Sequence, residues 1–394
     1  MFTPYVPYPP NSGGQTRTFN LIKNLSKKHE ITSFSYLRSD HKLPDLSDLK
    51  KYCSKVEIFR RKKSFASISK IVKTGFSLYP YLVNMYQDNN IRIAIQRELA
   101  AKKYDLIHVE TYYIMANIPQ TEVPVLLADQ TIEYLVYQHF AQTTKMYLLK
   151  PLLYLDAFKH KYWEKFYWEK AKRVVAMSGE DQQKMLELDP NLRVDVVPNG
   201  VDISFFSKKV YVKPRKYKRL LFVGNFNWLQ NREAAEVLVL KVWPEIIKKM
   251  PSARLWIVGR EPTPEIRALG ENKNVFVSSD VEDIRTAYQG SDLLIAPIYG
   301  GGGTRYKILE AMASGLPVVS TQIGIEGLGA IHDKHALITN EEKKLAEYAI
   351  WVLKNKLPGK KMALRAKKLV ADNYDWKPIS AKLEKIYEET AGKS

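Results

Sequence analysis

Short apolar runs alternate with amphipathic segments along almost the whole chain. Runs such as "YDLIHVE", "RLLFVGNF" and "DLLIAPI" are apolar, rich in branched side chains and only a few residues long. This is typical of strands that are buried on both faces of a parallel sheet. Between the runs lie helical patterns such as "GGQTRTFNLIKNLSKKH" and "REAAEVLVLKVWPEIIKKM". A repeated order of strand then helix predicts an α/β fold with doubly wound sheets.

The chain is long enough for two such sheets. It has 394 residues, of which 45% are hydrophobic and 26% are charged, and a single hydrophobic core stops growing below this length. A charged segment with a proline, residues 205–219, interrupts the alternation before a fresh strand begins. We therefore predict one domain over residues 1–200 and a second that begins at residue 201.

Cysteine usage and hydropathy restrict the compartment. The one cysteine, Cys53, excludes a disulfide within the chain and argues against a cysteine-based metal site. No apolar run is long enough to span a bilayer, and the start "MFTPYVPYPPNSGG" lacks the basic and apolar regions of a secretion signal. We expect a cytoplasmic protein.

The net charge of +19 predicts attraction to phosphate-bearing partners, a class that includes nucleic acid, anionic lipid and nucleotides. The excess is concentrated in residues 50–73, which carry nine Lys or Arg against the single acid Glu57. A helix over the second half would be basic on one face and apolar on the other, which favours a membrane surface. A solvated lysine-rich helix packed on its own domain fits equally well. The apolar positions are Phe65, Ile68, Ile71 and Val72.

Four glycines in a row precede a helical pattern in "YGGGGTRYKILEAMASGLPVV", residues 299–319. A glycine run costs chain entropy on folding, so it indicates a place where side chains would obstruct something. Thr304 is a suitable N-cap and Gly315 a suitable C-terminal stop, so we predict a helix from Arg305 to Ser314.

The start of this helix predicts an anion site. Its free amides, with the helix dipole, would face the space that the glycines leave open, and a diphosphate is the simplest occupant. Glu310 lies on the second turn, where it can accept hydrogen bonds from the two hydroxyls of a ribose. Together these features describe a nucleotide site. A glycine-rich strand-to-helix turn with Glu310 as an exposed acid is the alternative.

The stretch resembles the donor-binding segment of the retaining GT-B glycosyltransferases of family 4, which use nucleotide sugars. Four other stretches occur in the family's order: "PYPPNSGGQTRTFNLIKNLSKKHEIT", "VVPNGVD", "LLFVGNFNWLQNREAAEVL" and "WIVGREP". The resemblance implies two Rossmann-like domains that face each other across a cleft. Residues 1–200 would bind the acceptor and residues 201–372 the donor, while a helix over 373–394 would cross back to the first domain.

The resemblance also implies roles for individual residues. Glu310 would bind the ribose, Val281 would hold the base through its main chain, and Glu110 would lie near the transferred sugar. Asp129 and Glu133 would face the acceptor, although Glu110 and Asp129 could instead be loop caps. The other positions that match donor-binding residues are Gly13, Gly14, Gly224, Asn225, Arg260, Gly302, Gly303, Thr304, Arg305 and Lys307.

The sequence departs from the family pattern at three places. Gly302 stands eight positions before Glu310, where relatives have a sugar-binding glutamate, and "GNFNWLQN" offers Asn225 and Asn231 where many have Arg and Lys. We therefore expect the diphosphate to be neutralised by Arg260, Arg305 and Lys307. The first strand lacks most of its usual length, and we expect it to weaken the edge of the N-terminal sheet.

These features predict a retaining, metal-independent enzyme of surface polysaccharide biosynthesis. It would move a hexosyl unit from a UDP or GDP sugar to a glycan or lipid-linked acceptor, with no cofactor and no nucleic-acid partner. Residues 50–73 would contact the inner face of the membrane. Catalytic roles would fall to Glu110, Arg305 and Lys307. A sugar-nucleotide epimerase of the same fold and a non-catalytic anion- or membrane-binding protein are the alternatives.

Overall fold

The computed structural model describes residues 1–61, 74–144, 147–279, 281–300 and 306–392. The chain forms two compact units. The first contains Met1–Asn199 together with Ile379–Ser394, and the second contains Gly200–Pro378. No helix among the described residues is long and apolar enough to cross a membrane.

The first unit is built on a seven-stranded parallel sheet in the order β3-β2-β1-β4-β5-β6-β7. Because the chain winds outward from β1 in both directions, the sheet is doubly wound. The strands are β1 Phe2–Thr3, β2 Thr32–Arg38, β3 Lys55–Arg61, β4 Ile107–Glu110, β5 Val125–Ala128, β6 Arg173–Ala176 and β7 Val194–Val196.

Helices connect these strands, as parallel pairing requires. They are α1 Gly13–Leu25, α2 Ser47–Lys50, α3 Tyr81–Tyr86, α4 Asn89–Ala101, α5 Glu133–Thr143, α6 Lys150–Lys170 and α7 Gly179–Leu188, with short 3₁₀ turns at Tyr112–Asn117 and Tyr147–Leu149.

The second unit has a six-stranded parallel sheet in the order β10-β9-β8-β11-β12-β13. Its strands are β8 Arg219–Asn225, β9 Arg254–Arg260, β10 Val275–Ser278, β11 Leu293–Ala296, β12 Val318–Ser320 and β13 Leu337–Ile338. Its helices are α8 Ile203–Ser207, α9 Leu229–Val237, α10 Trp243–Lys249, α11 Pro264–Ala268, α12 Ile284–Gln289, α13 Tyr306–Ala313, α14 Gln322–Ile325, α15 Glu342–Lys354 and α16 Lys356–Tyr374, with a π turn at Leu238–Val242 and a 3₁₀ turn at Leu269–Glu271. The last helix, α17 Trp376–Ala391, begins in this unit and belongs to the first from Ile379 onward.

The predicted fold class is confirmed. The three quoted runs contain β4, β8 and β11, and all four residues of β4 and of β11 are buried. Burial on both faces explains why these runs are almost continuously apolar.

One expectation from the sequence needs correction. The short strand β1 lies in the interior of its sheet, with Phe2 opposite both Phe34 of β2 and Val109 of β4, and not at an edge. The first half of the basic segment 50–73 contains β3, which pairs with β2 along its whole length. The helix predicted for the second half lies outside the described residues.

Candidate functional site

In the second unit, the predicted phosphate site lies at the start of α13. The described part of this helix begins at Tyr306, and the predicted residues Gly302, Gly303, Thr304 and Arg305 lie outside the described residues. The predicted C-terminal stop is confirmed, since Gly315 has a φ of +73°. Leu316 N also donates to Ala311 O at 2.9 Å, which closes the end of the helix.

Glu310 is held in place by a tyrosine from α12. The Tyr288 hydroxyl donates to Glu310 Oε2 at 2.6 Å. Burial raises the pKa of the Glu310 carboxyl, while Tyr288 and the nearby Lys307 act in the opposite direction. The hydrogen bond fixes one carboxylate oxygen and orients the group. Such a carboxylate is a suitable acceptor for ribose hydroxyls.

Lys307 lies about one turn before Glu310 on the same helix, and its ammonium group is fixed by Asn231. Its Nζ donates to Asn231 Oδ1 at 2.5 Å and lies 4.7 Å from the centre of the Phe222 ring. Asn231 Nδ2 in turn donates to the main-chain oxygen of Asn225 at 2.8 Å. The ammonium group is therefore held at the carboxyl end of β8. This is the edge of a parallel sheet where ligands of doubly wound folds bind.

Gly224 and Arg260 belong to the same edge. Gly224 lies opposite Gly259, and Asn225 opposite Arg260, where β8 and β9 pair. A Cβ atom on Gly259 would lie only 1.7 Å from the Gly224 carbonyl oxygen, so this close approach of the strands requires glycine. The exposed Arg260 ends β9.

Val281 follows β10 in the second unit. It is partly buried and packs against the hydrophobic core of the second unit. Its predicted contact with a nucleotide base would use the main chain, and that contact stays a prediction.

In the first unit, Gly13 and Gly14 form the first turn of α1 and not a loop. Ser12 is the N-cap, and its hydroxyl accepts from Gln15 N at 3.4 Å. A Cβ atom on Gly14 would lie 2.4 Å from the Tyr5 hydroxyl and 2.8 Å from Gln130 Oε1. A larger residue here would displace the Tyr5 hydroxyl and the Gln130 amide, so glycine allows the start of α1 to lie directly against the Gln130 side chain.

Glu110, at the end of β4, is fully buried in a polar network. Gln130 Nε2 donates to Glu110 Oε2 at 2.6 Å, and His108 Nε2 lies 3.3 Å from Glu110 Oε1. The His108 Nδ1 atom pairs with the Tyr387 hydroxyl of α17. Burial alone would raise the pKa of the Glu110 carboxyl, but His108, Arg17 and Gln130 outweigh it and hold that pKa below its usual value. Glu110 is therefore a buried, ionised acid.

Arg17 is the counter-ion that sequence reasoning missed. Its guanidinium is fully buried, and its Nε lies 3.9 Å from Glu110 Oε1. Nη1 donates to the main-chain oxygens of Val197 and Pro198, each at 3.0 Å, and to Asn199 Oδ1 at 3.2 Å. Among the described residues, Nε and Nη2 have no hydrogen-bond partner. In the sequence Arg17 is one basic residue on an amphipathic helix, and no local signal sets it apart.

Asp129 is a loop cap, the alternative that the sequence left open, and its predicted position facing an acceptor is wrong. It is 1% exposed, accepts from Trp168 Nε1 at 2.7 Å and receives the Tyr112 amide at 3.4 Å. Glu164 of α6 is a second carboxylate that acts as a cap, because it accepts from the main-chain amides of Glu133 and Tyr134 at 2.8 and 3.0 Å. Burial raises the pKa of Asp129 to about 7.

Glu133, in contrast, is partly exposed in the first turn of α5. Burial, with the nearby Asp129, raises the pKa of the Glu133 carboxyl to about 8. At neutral pH this carboxyl therefore keeps its proton. It can donate a hydrogen bond, and it contributes no charge to its surroundings.

The structure thus gathers the predicted residues into two groups. In the second unit, Gly224, Asn225, Lys307 and Glu310 lie around Asn231 and Tyr288. In the first unit, the predicted residues Gly14 and Glu110 meet at Gln130, and sequence reasoning missed Gln130 and Arg17. Gln130 could have been found, because it follows β5 at the same sheet edge as Glu110.

Two family profiles match consecutive parts of the chain. The one described as Glycosyltransferase Family 4 matches residues 11–205, and the one described as Glycosyl transferases group 1 matches residues 217–355. Together they match most of both units, and the first match includes the stretch "VVPNGVD".

Individual proteins are similar over different lengths. An uncharacterised 44.6 kDa protein from the cps region of Klebsiella pneumoniae is 23% identical over 96% of this chain and 97% of its own. The phosphatidyl-myo-inositol mannosyltransferase of Mycolicibacterium smegmatis is 26% identical over 57% of this chain and 59% of its own. The structure of HepE from Anabaena, in complex with UDP and glucose, has a TM-score of 0.66 at 16% identity over 98% of both chains. The likeness of that structure confirms the fold.

Proposed function

We propose that this chain, which belongs to glycosyltransferase family 4, moves a hexosyl unit from a nucleoside-diphosphate sugar to a glycan or lipid-linked acceptor and retains the anomeric configuration. Membership of the family makes the chain a glycosyltransferase. The single observation that carries the donor site is the pair on α13: Lys307 tied to Asn231 and Glu310 tied to Tyr288. A cation for phosphate and a carboxylate for ribose lie one turn apart on one helix.

The donor assignment is supported by chemistry at each end of a nucleoside diphosphate. The ammonium group of Lys307 and the start of α13 stabilise the negative charge of the departing diphosphate. Glu310 accepts from the ribose. In this proposal the protein's own cations neutralise the leaving group, and Arg260 and Arg305 share this role. A protein of the same fold is described with UDP, so UDP is the first ligand to test.

In the reaction, the acceptor hydroxyl oxygen bonds to the anomeric carbon as the bond from that carbon to the diphosphate oxygen breaks. The attack is on the same face that the diphosphate leaves, and the hydroxyl proton passes to the departing diphosphate. The products are the glycoside and a nucleoside diphosphate. On the first unit, Gly14 and Glu110 meet at Gln130, and we assign this corner to the transferred sugar.

The proposed class of acceptor rests on the descriptions of two relatives. One is described as a mannosyltransferase that acts on a phosphatidylinositol lipid, and another is described only by its place in a cps region. A role in surface polysaccharide or glycolipid synthesis at the cytoplasmic face of the membrane fits both descriptions.

The donor site is tested by comparing UDP with 2′-deoxy-UDP in thermal-shift and calorimetric titrations. A hydrogen bond to a charged group contributes about 1.5–3 kcal/mol, so the wild type should prefer UDP by roughly 10- to 150-fold. Glu310→Ala should bring this ratio close to one, because it removes the acceptor, and Tyr288→Phe, which removes the orienting hydroxyl, should lower it in part. An unchanged ratio in Glu310→Ala would remove Glu310 from the ribose site. GDP and ADP titrated in parallel identify the base.

A further inference from the structure

The first unit contains an apolar cavity that the reaction described above does not use. Its volume is about 400 Å³, within the range of small-molecule sites. Helices α3, α5 and α6 and the turn after β4 form its walls. The lining includes Tyr81, Tyr113, Glu133, Tyr137, Phe140 and Leu153.

The cavity lies at the carboxyl edge of the sheet. Tyr113 follows β4 three residues after Glu110, and Glu133 follows β5 three residues after Gln130. Glu110 and Gln130 are hydrogen-bonded to each other at the corner assigned to the transferred sugar. The same two segments therefore lead from that corner to the cavity. The acceptor of a transferase has to lie beside the transferred sugar.

The interior is suited to hydrocarbon and not to a sugar. Aromatic and aliphatic side chains form most of the wall. It also contains two carboxyl groups, and neither of them is an unpaired charge. Asp156 Oδ1 accepts from Tyr81 N at 2.9 Å, and Oδ2 lies 3.6 Å from His160 Nε2. Glu133 keeps its proton at neutral pH, because burial raises its pKa to about 8. A bare hexose would leave many of its hydroxyls without partners here.

Exposed apolar side chains continue from the cavity onto the surface. Lys159 of α6 donates to the main-chain oxygens of Thr74, Gly75 and Ser77, and so fixes the 74–78 segment beside α6. Thr74 and Leu153 line the cavity, so this surface adjoins the cavity. Apolar patches of this kind mark membrane or protein contacts. The exposed side chains of this surface include Phe76 at 90%, Leu78 at 84%, Leu148 at 96% and Phe158 at 66%.

The charge of the sequence that precedes this surface indicates which contact it makes. Residues 62–73, which lie outside the described residues, carry four Lys and no acid, and they directly precede the exposed 74–78 segment in the chain. Basic residues adjacent in sequence to exposed aromatic and aliphatic side chains are a combination that favours an anionic lipid surface. A protein partner would not require this excess of positive charge.

We propose that the cavity binds the hydrocarbon tail of a lipid-anchored acceptor, with Phe76, Leu78, Leu148 and Phe158 in the membrane interface at its mouth. The inference rests on the proposed transferase function, because it names the substrate class of that site. The lipid tail enters the cavity from the bilayer, and its polar head extends toward the Glu110–Gln130 corner.

The test measures binding of hexyl, octyl and decyl β-glucosides, below their micelle concentrations, by calorimetry in the absence of donor. Affinity should rise about fifteenfold for each two added methylenes that become buried. Val136 lines the cavity at its rim, and Val136→Trp should fill it and abolish the dependence on chain length. The matched control is Gln138→Trp, which changes an exposed residue of the same helix about 200° away around its axis.

A second measurement addresses the mouth of the cavity. Leu148→Asp should reduce co-sedimentation with phosphatidylglycerol–phosphatidylcholine vesicles at least fivefold, whereas Tyr211→Asp, on a residue of the second unit that is 84% exposed, should leave it unchanged. Equal affinity for the three glucosides, or a loss in the control equal to that in Val136→Trp, would overturn the proposal. So would formation of a stable dimer that Leu148→Asp dissociates. Because no donor is present, failure here is distinct from failure to bind UDP, which would refute the donor site.

Discussion

Replacing Lys307 with methionine should weaken the binding of UDP much more than the binding of uridine. Methionine keeps the length of the side chain and its contact with Phe222 but removes the charge. In the structure the ammonium group is fixed by Asn231 at 2.5 Å and lies 4.7 Å from the Phe222 ring centre. Because the Lys307 side chain is already fixed, it loses little conformational entropy when a phosphate binds. Most of the free energy of the contact between Lys307 and the phosphate should therefore appear in the affinity.

The size of the effect follows from the type of contact. A hydrogen bond between charged partners contributes about 1.5–3 kcal/mol, which corresponds to a loss of roughly 10- to 150-fold in UDP affinity. Uridine lacks the diphosphate, so its affinity should change less than about twofold. Asn231→Ala should give a smaller loss, because the charge remains but its position is no longer fixed.

Isothermal titration calorimetry with UDP and uridine measures both affinities, and thermal unfolding of the free protein checks that the variant is folded. The matched control is Lys241→Met, which removes an exposed lysine of the same unit that pairs with Glu342. Equal losses for UDP and uridine, or a UDP affinity within threefold of the wild type, would refute the placement of the diphosphate beside Lys307.

Two further predictions concern stability, measured by denaturant unfolding. Arg17→Met should lower the free energy of unfolding by about 3–5 kcal/mol, because it leaves the fully buried Glu110 without its cation; Arg17→Lys should recover part of this, and a loss below about 1 kcal/mol would show that the ion pair is dispensable. Stability should also fall as pH rises from about 5 to about 8. In the folded state Asp129 and Glu133 have pKa values raised to about 7 and about 8, so the folded chain binds more protons than the unfolded chain across this window. Glu133→Gln should flatten this dependence, and an equally steep dependence in that variant would contradict the burial of its carboxyl.

The sequence by itself predicted the parts of this protein that depend on local patterns. Strands buried on both faces must be apolar along their length, so β4, β8 and β11 were visible as short runs. The stop at Gly315 was equally visible, because a positive φ favours glycine. The family motifs placed Lys307 and Glu310 on one helix before any tertiary contact was known.

Only the tertiary structure decided what those residues contact. Asn231 is one polar residue after a strand, and its bond to Lys307 joins positions 76 apart in the chain. Arg17 reaches Asn199 across 182 positions. Asp129 lies at the end of a strand much as Glu110 does, yet its carboxylate caps the turn at Tyr112 and is held there by Trp168 of a distant helix. Sequence patterns specify which face of an element is buried, whereas the partner of a buried polar group depends on which elements the fold brings together.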